Sequence, residues 1–257
     1  MPKPRVLVLR APGTNCDEET AFAWDRAGAE AETWHIGRVL ESPGGLDAFR
    51  VLTLPGGFSY GDDLGAGRIL ASRLGTMLGD AVRRLLDRGG LVLGICNGFQ
   101  VLVKAGLLPG NPAAGPSTLT FNDSGHFESR WVRLVPAPGP CPFLADDRPI
   151  ELPVAHGEGR FVTASPGALA TLEAAGQVVL RYADAGGGIA ADYPANPNGS
   201  PGAVAGLCDP TGRIFGLMPH PERYVDPLHH PRWTRLGLDR EADGLRIFRN
   251  AVRALTS

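Results

Sequence analysis

The sequence predicts an α/β protein built on a mostly parallel open sheet with helices on both faces, with an additional antiparallel strand and loop region in its second half. Three observations support this. Short apolar runs alternate with helically spaced stretches from Arg5 to Ala105. Glycine-rich turns stand where apolar runs end, at Pro55-Gly56-Gly57 and around Cys96. From Asn111 to Phe215 the helical spacing gives way to frequent Pro and Gly and to short alternating stretches, the pattern of antiparallel pairing.

Taken in order, Arg5 to Leu9 reads as a first strand. Cys16 to Ala29 reads as a helix, with Thr14 or Asn15 as cap and Asp17, Glu18 and Glu19 against the dipole. Ala31 to His35 and Arg50 to Leu54 read as strands. Arg68 to Arg88 reads as one helix, with Leu70, Leu74, Met77, Leu78, Val82 and Leu86 on a broad apolar face. After the break at Gly90, Leu91 to Ile95 reads as a strand and Asn97 to Ala105 as a helix. Further on, Trp131 to Val135, Arg160 to Thr163 and Val178 to Tyr182 read as strands. Ala203 to Asp209 and Arg213 to Met218 form a hairpin that delivers the chain to Pro219-His220-Pro221-Glu222, and a helix from Glu241 to Leu255 closes the fold.

The 257 residues, 43% hydrophobic and 20% charged, supply enough apolar material for a large core, and no repeat or linker marks a domain boundary. A formal net charge of −2 gives no electrostatic footprint for nucleic acid or an anionic membrane, so a small molecule or a protein is the expected partner. The first apolar run is too short for a signal segment or a membrane span. Cys16, Cys96, Cys141 and Cys208 are scattered without a CxxC pair, which favours a reducing, cytoplasmic setting.

Gly94-Ile95-Cys96-Asn97-Gly98, between an apolar strand and a helix, has the form of a nucleophile elbow. The sharp turn leaves no room for side chains two residues to either side. The nucleophile projects beside the free N–H groups of the following helix, whose positive pole favours a thiolate. A lone cysteine at a strand end is often only a small buried hydrophobe; the paired glycines distinguish this one. Of the six histidines, His220 stands out. Pro221 holds it extended, so Glu222, two residues on, can reach the imidazole edge turned away from the cysteine and fix its tautomer. The Pro55-Gly56-Gly57 turn, after a neighbouring strand, can offer a bare backbone N–H to an oxyanion, joined by that of Asn97, although a lone turn of this kind is usually only a turn.

Other candidates are weaker. His229-His230 lacks the spacing of a metal site and reads as a solvated loop. Cys16 sits near a helix start, but the neighbouring acids oppose its ionisation. Gly186-Gly187-Gly188 and Asn196-Pro197-Asn198-Gly199 lack the Lys and helix of a phosphate loop.

Together these residues resemble class I (triad) glutamine amidotransferases, whose glutaminase domain carries a C-x-G-x-Q elbow and a distant His-Pro-Glu. Here those are Cys96-Asn97-Gly98-Phe99-Gln100 and His220-Pro221-Glu222. The likeness is closer still to the branch serving phosphoribosylformylglycinamidine synthase in de novo purine synthesis. It extends over Pro12 to Cys16, Leu54 to Asp62, Gly94 to Gln100, Ala155 to Gly159, Asn196 to Ser200 and Met218 to Arg223.

The resemblance implies one flavodoxin-like glutaminase domain over residues 1–257. Cys96 would be its nucleophile, His220 its acid and base, and Glu222 the orienter of His220. Gly57 and Asn97 would be oxyanion donors, and Gln100 would help hold the substrate glutamine. No metal or cofactor is expected on this chain. ATP and Mg belong to a large synthetase subunit that takes up the ammonia, with a small third subunit in the complex. His156, Glu158 and the segment from Asp226 to Gly237 receive no role. The alternatives are a free-standing cysteine hydrolase of related fold, which would act without a partner, and a non-catalytic regulatory subunit.

Overall fold

A computed structural model describes residues 2–256. The chain begins with β1 (Arg5–Arg10), α1 (Asp17–Ala27), β2 (Glu30–His35), α2 (Ile36–Glu41) and β3 (Val51–Leu54). It continues through α3 (Arg68–Met77), α4 (Gly79–Asp87), β4 (Leu91–Ile95) and α5 (Asn97–Lys104). The second half holds β5 (Ser117–Thr120), β6 (Glu128–Pro136), β7 (Ile150–His156), β8 (Arg160–Thr163), α6 (Pro166–Ala174) and β9 (Val178–Ala183). It ends with β10 (Val204–Cys208), β11 (Ile214–Leu217), α7 (Trp233–Leu236) and α8 (Asp243–Thr256).

Nine strands form one sheet in the order β2-β1-β3-β4-β11-β10-β9-β6-β7. The first five are mutually parallel, as the βα rhythm predicts, and the antiparallel strands expected in the second half extend the same sheet. β5 and β8 pair apart from it as a two-stranded ribbon. Helices cover both faces. Thr53 of β3 accepts a hydrogen bond from Trp24 of α1 at 2.9 Å, while the adjacent Leu54 lies against Gly98 of α5. Adjacent strand residues point to opposite faces, so α1 and α5 sandwich the sheet. The central strands β3, β4 and β11 are buried along their whole length, so their carboxyl ends form a rigid platform.

Several boundaries differ from expectation, each for a physical reason. α1 starts at Asp17, and neither Thr14 nor Asn15 caps it. The Thr14 hydroxyl instead accepts from the Ala11 N–H, and the Asn15 side chain from the Cys16 thiol. The helix expected over Arg68 to Arg88 is two helices broken at Leu78, where Gly75 and Gly79 weaken helix propensity on either side. β7 carries no plain strand signal in the sequence because Pro153 interrupts it. Proline is tolerated there because β7 is the edge strand, where a missing donor breaks no inner ladder. α6 is an addition to the expected elements: Ser165 caps it by accepting the Ala168 N–H at 3.2 Å, and Pro166 stands at its first position. Only half of His229-His230 is solvated. His230 is buried against Trp131 and Tyr224, with Nε2 3.2 Å from Glu151.

Among the described residues no helix is long and apolar enough to cross a membrane.

The crossing of β3 and α5 depends on Gly98. A Cβ there would lie 1.9 Å from the Leu54 carbonyl oxygen, a clash with backbone that no rotamer relieves. Gly98→Ala is therefore expected to destabilise the protein by about 3 kcal/mol or more. Gly75→Ala, on an exposed helical site with nothing within 4 Å of the new methyl, is expected to stabilise it by about 0.5–1 kcal/mol. Urea denaturation of the two variants would show opposite shifts in midpoint.

Candidate active site

Cys96 joins the end of β4 to the start of α5 with φ 50° and ψ −104°, a left-handed conformation that a non-glycine residue adopts only under constraint, at a cost of about 1–3 kcal/mol. The constraint comes from both sides. The Cys96 N–H donates to the Leu217 carbonyl at the end of β11 at 2.8 Å, continuing the sheet to the turn itself. A Cβ at Gly94 would meet the Gly98 carbonyl oxygen at 2.7 Å, so only bare backbone lets the two arms of the turn close. The thiol lies at the first turn of α5, among unsatisfied N–H groups. It points toward the Ala155 carbonyl, with Sγ 3.6 Å from the oxygen.

β11 ends beside β4, and the chain then runs straight into His220. The His220 N–H donates to the Pro153 carbonyl of β7 at 2.8 Å, and the ring Nδ1 lies 2.6 Å from Glu222 Oε1. Both side chains are buried, each residue being 1% exposed. Gly56 gives the ring room, since a Cβ there would stand 2.8 Å from His220 Cε1. Burial disfavours the imidazolium, but the Glu222 carboxylate, with Cys96 and Cys16 adding to it, outweighs burial and holds the His220 pKa well above the usual histidine value. Among the described residues Nε2 has no hydrogen-bond partner. Cys96 and Cys16 lie near enough to act on the ring, and Nε2 is free to exchange a proton.

Cys96, His220, Gly57 and Gln100 line one cavity of about 410 Å³, together with Asn15, Cys16, Phe58, Phe121, Phe127, Ala155 and His156. Gly57 has φ 142°, and a side chain there would strike Gly13 and Asn15. Its N–H donates to no protein acceptor among the described residues, as an oxyanion donor requires. The Asn97 N–H is the first of α5 and has no partner within the helix. The Asn97 side chain does separate work. It accepts the Ser59 N–H at 3.1 Å and donates to Asp62 at 3.2 Å and to Gln100 at 2.9 Å, locking the loop after Gly57 onto the elbow. Gln100 in turn donates to the Glu158 carbonyl at 2.6 Å, so its amide braces the cavity wall.

Reading the sequence missed three groups at this site. The Ala155 carbonyl carries no sequence signal, because any residue supplies one. His156 could be seen in Ala155-His-Gly-Glu-Gly159, but not its direction. Cys16 has more than acids around it. Arg223 donates to its sulfur at 3.1 Å, and Sγ lies against the space above Gly56 that His220 occupies. Burial nevertheless pushes the Cys16 pKa up, with the Glu222 carboxylate adding to it, so ionisation is opposed mainly by burial rather than by the acids of α1. Cys16, His220 and Glu222 place one ligand atom each within 4.8 Å of one another, and the hydrogen bond between His220 Nδ1 and Glu222 Oε1 ties two of these side chains to each other.

A buried thiol on a strained elbow, an imidazole held by a carboxylate and two free backbone N–H groups define a cysteine acyl-transfer centre. The chain belongs to the CobB/CobQ-like glutamine amidotransferase domain family, whose model matches residues 3–254. It is 49% identical over 255 residues to the phosphoribosylformylglycinamidine synthase subunit PurQ of Dehalococcoides mccartyi, covering 98% of each chain. It is 42% identical to the PurQ subunit of Thermus thermophilus, over 97% of this chain and 98% of that one. Among solved structures it is similar to a chain of the PurLQS structure from Thermotoga maritima, with a TM-score of 0.75, 32% identity and coverage of 99% and 100%.

The electrostatics predict the pH behaviour of Glu222→Gln. Glu222 is the largest influence raising the His220 pKa, so losing its charge lowers that pKa and the imidazolium disappears at lower pH. The alkaline limb of kcat/KM for ammonia release should move down by about one pH unit or more. An unmoved alkaline limb would contradict the role given to the carboxylate.

Proposed function

We propose that this chain is the glutaminase subunit of a phosphoribosylformylglycinamidine synthase, with Cys96, His220 and Glu222 as its catalytic triad. The observation that carries the chemistry is the convergence of an elbow thiol and a carboxylate-bound imidazole on one cavity. Cys96 attacks the side-chain carbonyl carbon of glutamine as the thiolate. The oxygen takes the charge and meets the N–H groups of Gly57 and Asn97. His220 delivers its Nε2 proton to the amide nitrogen, the C–N bond breaks, and ammonia leaves a γ-glutamyl thioester on Cys96. Water then attacks the thioester, giving its proton to His220, and glutamate departs as the thiolate is released.

The acceptor reaction follows from the likeness to PurQ subunits and to PurLQS. Ammonia passes to a large synthetase subunit that uses ATP and Mg to convert formylglycinamide ribonucleotide to formylglycinamidine ribonucleotide, with a small third subunit in the assembly. This chain acts throughout its length as one glutaminase domain in the cytoplasm and binds no cofactor of its own. Gln100 acts mainly by setting the Glu158 turn, against which the substrate rests.

The test is ammonia release from glutamine by the chain assembled with its synthetase partners. Cys96→Ala should lower it by roughly 10⁴-fold or more. Wild-type release by Cys96→Ala would overturn the mechanism. Vigorous peptide cleavage by the lone chain would favour a free-standing hydrolase.

A further inference from the structure

His156 ends β7 and lines the cavity directly after Ala155, whose carbonyl faces the Cys96 thiol. The residue is buried, and its Nδ1 lies 3.0 Å from Asn122 Oδ1. The orientation of the Asn122 amide is settled by its other contacts. Nδ2 donates to the carbonyls of His126 and His156, both at 2.8 Å, and Oδ1 accepts the Gly159 N–H at 3.0 Å. A flipped amide would set oxygen against two carbonyls and nitrogen against an N–H. Oδ1 can only accept, so His156 Nδ1 carries the proton and donates it. Nε2 is therefore a bare lone pair, buried and without a hydrogen-bond partner among the described residues.

The surroundings hold the ring in this state. Burial, reinforced by the nearby His220, lowers the His156 pKa to about 3, so the imidazole stays neutral at physiological pH. Gly159 packs its bare backbone on the ring, since a Cβ there would lie 2.5 Å from Cε1 and Nδ1. Asn198 fixes that glycine by donating to its carbonyl at 2.8 Å. The Ala155–Gly159 and Asn196–Ser200 segments thus cooperate to hold one neutral acceptor on a residue that lines the cavity. Buried acceptors are rarely left unmet, so a donor is expected to arrive there with the substrate.

Glutamine carries N–H groups at its α-ammonium and at its side-chain amide. A cation is better held by a carboxylate, whereas a neutral acceptor suits an uncharged donor. His156 shares the cavity with Cys96 and lies near enough to His220 to feel its charge, and the preceding Ala155 carbonyl is 3.6 Å from the thiol at which the amide reacts. We propose that His156 Nε2 accepts a hydrogen bond from the side-chain amide nitrogen of glutamine, and then from the ammonia it becomes, turning that nitrogen's lone pair toward the proton on His220. No proton passes to His156. The C–N bond breaks with the proton supplied by His220, and ammonia leaves uncharged.

This role rests on the glutaminase reading above, and a pair of substrates tests it separately. In the assembled complex, kcat/KM is measured for glutamine and for glutamic acid γ-methyl ester, whose leaving group has no N–H. His156→Phe should lower the glutamine-to-ester ratio about tenfold. His156→Asn, which can keep the Asn122 contact but offers no acceptor at Nε2, should do the same even if the Phe variant fails to assemble. His156→Gln, which can place an oxygen near Nε2, should recover part of the ratio. Equal losses on both substrates, or no loss on either, would overturn the proposal. Cys96→Ala marks the other boundary: turnover of either substrate by that variant breaks the glutaminase reading itself. An inert Cys96→Ala with unselective His156 variants removes only the role of His156.

Discussion

The structure turns on one strained residue. Cys96 is held at positive φ because β4 must end and α5 begin within a single step, while the Leu217 carbonyl fixes its N–H and Leu54 presses on Gly98. That conformation is unfavourable by itself and persists only because the buried centre of the sheet determines it from several directions. The same tight turn aims the thiol at the helix start and leaves the Asn97 N–H unpaired. Placing the thiol and baring an N–H beside it are thus two consequences of one piece of backbone geometry.

The second constraint is electrostatic. His220 and Glu222 are sealed from water, and a buried imidazolium would be strongly disfavoured alone. The carboxylate 2.6 Å away reverses the balance. His156 shows the opposite outcome under similar burial, because its partner is a neutral amide oxygen. Two histidines in one cavity therefore have their pKa values pushed in opposite directions, set by whether a carboxylate or an asparagine stands behind each.

Much of this was legible in the residues. The period of the first half announced the parallel strands, and Gly94, Gly98 and the proline after His220 marked the chemistry, because tight turns and extended segments impose local requirements on residue type. What stayed hidden was non-local. Nothing near Pro153 reveals that β7 lies at the sheet edge, where proline is tolerated. The Ala155 carbonyl has no side-chain signature, and the isolation of His156 Nε2 depends on Asn122 and Gly159, drawn from separate strands and turns. Gln100 lines the cavity, and its bonds to Asn97 and Glu158 are pairings set by tertiary contact that no local pattern shows.

The central claim is that the strained elbow makes Cys96, and not the neighbouring Cys16, the covalent nucleophile. The direct measurement is peptide-mapping mass spectrometry of the assembled complex, acid-quenched during glutamine turnover. The account predicts a γ-glutamyl thioester on the peptide containing Cys96 and an unmodified Cys16. A glutamyl adduct on Cys16, or steady turnover with no adduct on Cys96 under conditions that preserve thioesters, would contradict it.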